Sequence, residues 1–267
     1  MSINNKNTYI STYDYGFLYG FSIFETFVVS KNGDVFLLEK HIERMINSAR
    51  FFGISNKMTK AQLLNKVVTY INDNVLSDVI LRMTMSAGNN KENLFSSIAF
   101  SYRQNVYTQD KISKGFKVSI SEVRKSESSI VLRHKTSNYL ENYILMNKAV
   151  FEGFDDVVFM NTSSEVTETT RSNIFFVRDS VLYTPHKNCG LLPGVIRQWV
   201  IEEAYRQNIK CIEGYYNISD LISADEVFIT NSAMGIMHVK SIDGKDINNG
   251  ALGTITEKIA DFLRKNQ

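Results

Sequence analysis

The chain has few prolines and few cysteines, no long apolar run and no excess of one charge. Its 267 residues include two prolines and two cysteines, and 30 basic side chains nearly balance 28 acidic ones. The scarcity of proline excludes proline-rich linkers, and Cys189 and Cys211 are too few to form a disulfide framework. A nucleic-acid-binding protein usually has a strong basic excess, so the charge balance argues against that class.

No stretch of the sequence has the pattern of a targeting or membrane segment. The first residues, 1–7, are polar and lack the apolar core of a signal peptide. No run approaches the roughly 18 apolar residues that a membrane span requires. Because 43% of the residues are hydrophobic and 12% are aromatic, the chain can form substantial cores. We therefore expect a globular, cytoplasmic protein that binds neither membranes nor nucleic acid.

Short runs typical of β-strands alternate with amphipathic helical patterns. The Asn32-Gly33 pair between the β-type runs 24–29 and 35–38 predicts a hairpin. Apolar residues at steps of three and four over 38–52 predict a helix that Gly53 ends. Further helices are predicted over 61–74, 138–151, 195–207, 218–223 and 254–265, and strands over 79–85, 97–102, 116–120, 157–160, 173–177, 181–183 and 226–230.

A polar stretch that ends in glycine, residues 104–115, indicates a domain boundary. The pattern of elements on both sides predicts an α+β fold in two domains. We place a smaller N-terminal α/β domain at 1–105, a linker at 106–115 and a larger C-terminal domain at 116–267.

Several common kinds of active site are excluded by their missing motifs. The chain has no Gly-x-Ser-x-Gly sequence, no dinucleotide fingerprint and no Walker A loop. Its four histidines are far apart in the sequence and form no pair with metal-ligand spacing: His41, His134, His186 and His238. We therefore expect no metal site.

Six ordered segments carry a more specific signal. They are residues 14–20 with 24–27, 41–45, 135–140, 165–168 with 172–175, 192–197 and 225–232. In this order they resemble the class IV aminotransferases, the fold-type IV enzymes that depend on pyridoxal 5'-phosphate (PLP). The resemblance extends from about residue 13 to 244. It implies the two-domain fold of the branched-chain and D-amino-acid aminotransferases, PLP as cofactor, a small-molecule substrate and a homodimer.

Two residues match the catalytic positions of that family. By composition alone Lys135 is one lysine among many, but the resemblance implies that it forms the Schiff base with PLP. Partial burial would favour the loss of its proton, and the freed amine could then act as general acid and base. Glu168, an exposed carboxylate by default, would face the pyridine nitrogen and keep it protonated, so that the ring can accept electrons.

The resemblance also implies a site for the cofactor phosphate. Arg44 would bind it through its guanidinium fork, and a helix that starts at Gly194 would offer backbone N–H groups. Ser232, with Asn231 beside it, would complete the cup, although Thr-Asn-Ser after a strand is also a common turn. Ile196 stands where relatives have a threonine, so one side-chain hydroxyl is lost while the amide remains. The cofactor-binding set is thus Arg44, Lys135, Glu168, Gly194, Val195, Ile196, Asn231 and Ser232.

Four residues match positions on the substrate side of the site in relatives: Tyr19, Phe24, Arg82 and Tyr139. An arginine among apolar strand residues destabilises the fold unless it is paired, so Arg82 is a candidate for binding a carboxylate.

Within the family, the segments are most similar to those of the 4-amino-4-deoxychorismate lyases. The expected reaction forms 4-aminobenzoate and pyruvate in folate biosynthesis. The alternative is a branched-chain amino acid transaminase, because the same lysine and glutamate serve both reactions. D-Amino-acid aminotransferases carry Arg-x-His where this chain has Thr84-Met85-Ser86, which disfavours that activity. A non-catalytic binding protein is disfavoured by the presence of both Lys135 and Glu168.

Overall fold

The computed structural model describes residues 10–89 and 96–266, which divide into two compact units. The first unit comprises the described residues up to Val106 together with His134–Asn138, and the second comprises Tyr107–Arg133 and Tyr139–Asn266. The division predicted from sequence differs in two respects, since 134–138 belongs to the first unit and part of the expected linker 106–115 is helical. The mixture of helices and strands in both units confirms the α+β class.

The described part of the first unit contains one antiparallel sheet and three helices. Its strands pair in the order β1-β2-β3. The elements are α1 (Tyr15–Tyr19), β1 (Ser22–Val29), α2 (Leu38–Phe51), α3 (Lys60–Asp73), β2 (Val79–Ser86) and β3 (Ile98–Gln104).

The core of the first unit lies between its sheet and the helices α2 and α3. Successive side chains of a strand point to opposite faces, so odd-numbered residues of β1 and β2 share one face. This face packs on apolar residues of the two helices, and the cluster includes Ile23, Phe27, Val29, Leu81, Met83, Met85, Ile42, Met45, Leu63 and Val67. The even-numbered residues, among them Phe24 and Arg82, therefore lie on the opposite face.

The hairpin predicted around Asn32-Gly33 is wrong in its second half. Only one antiparallel bridge forms there, between Val29 and Val35, and the main partner of β1 is β2. Leu37 has a φ of 55°, which ends the extended path, and Leu38 begins α2. The apolar residues at the end of the run 35–38 thus contribute to the helical pattern that follows.

The second unit contains the remaining elements. Its helices are α4 (Gln109–Lys114), α5 (Leu140–Phe151), α6 (Val195–Arg206), α7 (Ile218–Ile222) and α8 (Thr254–Asn266). Its strands are β4 (Phe116–Lys125), β5 (Asp156–Asn161), β6 (Val166–Thr169), β7 (Asn173–Arg178), β8 (Val181–Pro185), β9 (Cys211–Gly214), β10 (Glu226–Asn231), β11 (Gly235–Ile242) and β12 (Lys245–Asp246).

Six of these strands form a closed sheet. The pairing runs β10-β11-β4-β5-β6-β7, and β7 pairs again with β10. Strands β8 and β9 extend from β7, and β12 pairs with β11. The apolar core of the unit includes Val118, Val158, Val166, Ile174, Ile229 and Met237. Since β6, β7 and β10 lie side by side, the loops at their ends occupy neighbouring positions.

The predicted helices of both units are confirmed to within about two residues at each end. The strands β9, β11 and β12 were not predicted from the sequence. Strand β11 is buried at seven of its eight positions, so it lacks the alternation of polar and apolar residues that identifies a half-exposed strand. Among the described residues, each helix is too short or too polar to cross a bilayer.

Candidate active site

Lys135 is attached to the first strand of the sheet by backbone hydrogen bonds. The N–H of Phe24 donates to the carbonyl of Lys135 at 2.8 Å, and the N–H of Ser137 donates to the carbonyl of Ser22 at 2.9 Å. Between them, Thr136 forms an antiparallel bridge with Ile23. The half-buried Lys135 places its Nζ 4.5 Å from the centroid of the Phe24 ring. The position of the amine is therefore set by β1.

The residue before the lysine is anchored to helix α2. The imidazole of His134 stacks on Phe51 with ring centroids 4.4 Å apart and contacts the Phe52 ring at 4.8 Å. Its Nδ1 lies 2.9 Å from Ser48 Oγ. Because Ser48 is buried, this contact fixes the approach of the chain to Lys135.

A buried ionic cluster joins β1 to α2 on the other face of the sheet. Arg44 donates from Nε to Glu25 Oε1 at 2.8 Å and from Nη2 to Oε2 at 2.7 Å. His41 Nδ1 lies 2.7 Å from Oε2. The side chain of Arg44 is only 14% exposed, so Arg44 is not the surface residue that a charged helix face suggests.

The cluster has a defined charge state. Burial alone would raise the pKa of Glu25, but the charge of Arg44 and the hydrogen bonds from Arg44 and His41 lower it to about 2. Burial lowers the pKa of His41, as do the positive charges of Arg44 and Lys135, whereas Glu25 opposes this shift. Around neutral pH Glu25 is therefore ionised and His41 neutral, which leaves one carboxylate facing Arg44.

Arg82 lies on the same face of the sheet as Phe24. Its Cζ is 3.6 Å from the centroid of the Phe24 ring. The Nε donates to Thr84 Oγ1 at 3.0 Å, and Nη2 donates to Ser137 Oγ at 3.3 Å. A cation over a ring face is stabilised by the ring quadrupole. Phe24 thus contacts both Lys135 and Arg82.

The two predicted substrate-side tyrosines occupy different environments. Tyr19 is 71% exposed at the end of α1, and its ring contacts Tyr15 at 5.5 Å. Tyr139 is half-buried and precedes the first turn of α5 in the second unit.

Glu168 lies in the second unit, on strand β6, and is half-buried rather than exposed. Its Oε2 accepts hydrogen bonds from the N–H of Leu192 and from Asn173 Nδ2, each at 3.2 Å. Asn173 also donates to the carbonyl of Leu192 at 2.8 Å. The carboxylate is therefore oriented by the segment that leads into α6.

A fully buried aspartate holds the turn that follows Glu168. Asp156 accepts hydrogen bonds from Thr169 Oγ1 at 3.0 Å and from the N–H of Thr170 at 3.1 Å. Burial raises the pKa of Asp156, while Arg171 and the surrounding donors oppose that rise. Asn142 of α5 donates to the carbonyl of Thr170 at 2.6 Å. These contacts fix the turn between β6 and β7.

The N-terminus of α6 provides backbone donors without a side-chain cap. Gly194 is the N-cap and makes no capping hydrogen bond through a side chain, and Val195 and Ile196 are buried in the first turn. A Cβ on Gly194 would lie 2.1 Å from Asn173 Oδ1. Glycine is therefore required at this position for Asn173 to reach both Glu168 and Leu192.

Asn231 has a role in shaping the neighbouring loop. Its Oδ1 accepts from the N–H groups of Ala233 and Met234, both at 2.9 Å. Its Nδ2 donates to Ser172 Oγ at 3.0 Å. Ser232, half-buried, follows directly after β10. The amide of Asn231 thus fixes the loop that presents Ser232.

The sequence-predicted residues are divided between the two units, and in the first unit Phe24 contacts both Lys135 and Arg82. The set in the first unit is Tyr19, Phe24, Arg44, Arg82 and Lys135, and the set in the second is Tyr139, Glu168, Gly194, Val195, Ile196, Asn231 and Ser232. Across the described residues, no group of His, Cys, Asp and Glu could hold a metal ion. Each unit by itself holds donors of the kinds that PLP requires: an amine and an arginine in the first unit, for an aldehyde and a phosphate, and a carboxylate and an uncapped helix N-terminus in the second, for a ring nitrogen and a phosphate.

Sequence reasoning assigned no role to Glu25, Ser137 and Asp156. A local signal existed for Glu25, because a carboxylate at an inward position of an apolar strand requires a cationic partner. The contacts of Ser137 and Asp156 join residues that are distant in the sequence. No local pattern predicts them.

Known proteins resemble this chain over nearly its whole length. The family model described as amino-transferase class IV matches residues 22–242. A Methanocaldococcus jannaschii protein named as a candidate branched-chain-amino-acid aminotransferase is 30% identical, covering 98% of this chain and 92% of the relative. The aminodeoxychorismate lyase of Bacillus subtilis is 26% identical, and the match covers 93% of this chain and 86% of the relative. A candidate 4-amino-4-deoxychorismate lyase structure from Legionella pneumophila has a TM-score of 0.92 and 26% identity. The match covers 98% of this chain and 97% of that chain.

Replacement of Glu25 should change how stability depends on pH. Its folded-state pKa of about 2 lies below the ordinary 4.5, so the ionised group stabilises the fold above pH 4.5 and loses that effect as the pH falls through 2. The difference corresponds to about 3 kcal/mol. We expect Glu25→Gln to be less stable at neutral pH and to lose less unfolding free energy on acidification, measured by urea unfolding at several pH values.

The matched control is Glu39→Gln, the same change at a side chain that is 71% exposed. It should leave the pH profile unchanged. If the unfolding free energies of Glu25→Gln and the unmodified protein fall equally as the pH is lowered, the carboxylate does not stabilise the fold in this way.

Proposed function

Because the chain belongs to the class IV aminotransferase family, we propose that it is a PLP-dependent lyase that converts 4-amino-4-deoxychorismate to 4-aminobenzoate and pyruvate. The observation that carries the catalytic part is the placement of Lys135, half-buried and fixed to β1 with its Nζ over the Phe24 ring. The lyase assignment is supported by the similarity to the Bacillus subtilis and Legionella pneumophila proteins over nearly the whole chain.

Lys135 acts first as the attachment point and then as the proton carrier. When bound, PLP supplies an aldehyde that condenses with primary amines and a protonated ring that accepts the electron pair of a breaking bond. Lys135 would hold PLP through its Nζ. With the substrate amine bound in its place, the lysine amine would take the proton from the amine-bearing carbon of the substrate.

Glu168 would face the ring nitrogen of the bound cofactor and keep it protonated. Its Oε2 is oriented by Leu192 and Asn173, which leaves the carboxylate in one fixed position. Arg44 and the N–H groups of Val195 and Ile196 would bind the phosphate, with Ser232 as a further donor and Asn231 shaping the loop. Without a threonine hydroxyl at position 196, the backbone amides carry more of this binding.

Arg82, Phe24, Tyr19 and Tyr139 face the substrate. Arg82 binds a carboxylate, and Phe24 offers a flat apolar surface on which a ring can stack. Loss of the enolpyruvyl group leaves an aromatic ring on the substrate. Aromatisation drives the reaction, so no keto-acid acceptor is needed.

The second candidate function is transamination of branched-chain amino acids. It is favoured by the 30% identity to the Methanocaldococcus jannaschii relative, and Lys135 and Glu168 would serve it in the same roles. The sequence Thr84-Met85-Ser86 has no arginine or histidine to bind a substrate carboxylate as D-amino-acid aminotransferases do, so that activity is not proposed.

We further propose that the protein is a homodimer. Helix α5 exposes apolar side chains, with Leu140 73%, Tyr143 60% and Ile144 55% exposed. These residues lie at positions i, i+3 and i+4, which form one face of a helix. A second copy covering this face would remove the apolar surface from water.

The lysine prediction concerns cofactor attachment. Lys135→Ala should fold normally, but after mixing with PLP and removal of the unbound cofactor it should retain no visible absorbance band and show no activity in either assay described below. Lys148→Ala, at an exposed lysine of α5, should load and react like the unmodified protein. Retention of the band by Lys135→Ala, with far-ultraviolet circular dichroism unchanged, would rule out Lys135 as the attachment point.

The two candidate reactions can be separated on one PLP-loaded preparation. One cuvette contains 4-amino-4-deoxychorismate, and pyruvate is followed through lactate dehydrogenase. The other contains leucine with 2-oxoglutarate, and glutamate is followed. We expect rapid pyruvate release and little glutamate, whereas rapid glutamate formation without pyruvate would establish the transaminase instead.

The dimer prediction concerns Tyr143. Tyr143→Arg places a charge in the exposed face of α5, so sedimentation velocity should show a monomer where the unmodified protein sediments as a dimer. Lys148→Ala, on the same helix, should sediment like the unmodified protein. A monomeric unmodified protein, or a dimeric Tyr143→Arg, contradicts the proposal.

A further inference from the structure

We propose that Ser137 is a substrate-binding residue whose hydroxyl acts with Arg82 to bind a carboxylate of the substrate. The inference rests on the proposed function and adds to it a residue that binds a carboxylate of the substrate. It assigns a role to a residue beyond the lysine, glutamate and arginines considered above. The argument starts from the hydrogen bonds of the serine itself.

Both acceptor positions of the Ser137 hydroxyl are used. Ser22 Oγ donates to Ser137 Oγ at 2.7 Å, and Arg82 Nη2 donates to the same oxygen at 3.3 Å. A hydroxyl has two lone pairs and one hydrogen, so two donors saturate the oxygen and direct its hydrogen elsewhere. Within 10–89 and 96–266, no hydrogen bond has this hydroxyl as its donor. The geometry therefore points to an acceptor outside the chain.

Because the cation Arg82 lies beside this hydroxyl, we expect the acceptor to be an anion. The Arg82 guanidinium lies 3.6 Å from the Phe24 ring centroid and is held by Thr84 and Ser137 through Nε and Nη2. Packing on the ring and two hydrogen bonds fix its plane before any ligand arrives. A fixed guanidinium beside a hydroxyl hydrogen can bind the two oxygens of one carboxylate with charge-assisted hydrogen bonds.

Ser137 and Arg82 both lie near Lys135, whose amine is the reacting group. Ser137 is two residues after Lys135, and both segments are attached to β1 by backbone hydrogen bonds. The Nζ of Lys135 and the Cζ of Arg82 lie 4.5 Å and 3.6 Å from the same ring centroid, that of Phe24. A substrate whose amine meets Lys135 can therefore place a carboxylate at Arg82 and Ser137.

The role of Ser137 differs from that of a residue that only supports the fold. A serine that only supports the fold would affect all ligands equally, because its loss would disturb the packing around Lys135 whatever is bound. A serine that acts with Arg82 on a carboxylate, by donating to it and by holding the guanidinium, affects only ligands that carry one. Paired ligands that differ in this group therefore distinguish the two roles.

The experiment measures the affinity of the PLP-loaded protein for four probes by calorimetry. They are 4-aminobenzoate and 4-methylpentanoate, one for each candidate reaction, and the primary amide of each. The variants are Ser137→Ala and, as the matched control, Ser101→Ala. Ser101 is exposed and lies opposite Arg82 in the register of β2 and β3, so it tests the same substitution close by.

We expect the unmodified protein to bind at least one carboxylate more tightly than its amide. Ser137→Ala should lower the affinity for that carboxylate about tenfold, since a hydrogen bond to a charged group is lost. The affinity for the corresponding amide should stay within about twofold. Ser101→Ala should change neither affinity. The proposal is overturned if Ser137→Ala weakens both members of a pair equally, if it weakens neither, or if no carboxylate is preferred over its amide.

PLP loading, followed by visible absorbance before the titrations, separates this inference from the proposed function. Failure of the unmodified protein to load contradicts the proposed function. Normal loading of Ser137→Ala with unchanged carboxylate affinity contradicts the role of Ser137 alone.

Discussion

The short antiparallel pairing between β1 and residues 134–138 is the constraint on which the site depends. Two backbone hydrogen bonds, from Phe24 to the Lys135 carbonyl and from Ser137 to the Ser22 carbonyl, make this segment an addition to the sheet. A strand alternates its side chains, so β1 presents Phe24 on the face that Lys135 covers. The reactive amine is thereby positioned by regular secondary structure, although it lies in a connecting segment.

Helix α2 supports this arrangement from the other face of the sheet. His41, Arg44 and Ser48 recur at steps of three and four and therefore share one side of the helix. The first two bind Glu25 of β1, and Ser48 contacts His134 next to the lysine. Helix α2 thus fixes the position of Arg44, which is proposed to bind the phosphate, relative to His134, which precedes Lys135. Because Glu25 is fully buried, removing either partner would leave an uncompensated charge inside the protein.

The sequence predicted regular elements better than it predicted contacts. The helix over 38–52 was found because its apolar residues face one core, whereas the second half of the hairpin failed because Leu37 and Leu38 belong to a turn and a helix. The roles of Lys135 and Glu168 came from a family resemblance, since neither composition nor spacing distinguishes them. Ser137 could not be found, because its partners Ser22 and Arg82 are 115 and 55 residues away in the chain.

The central claim is that one amine, Nζ of Lys135, forms the covalent bond to PLP. The most direct measurement is borohydride reduction of the PLP-loaded protein, followed by digestion and mass spectrometry of the peptides. The account predicts a single pyridoxyl-modified peptide, with the modification on Lys135. A modification on another lysine, or the absence of any stoichiometric modification, would contradict it.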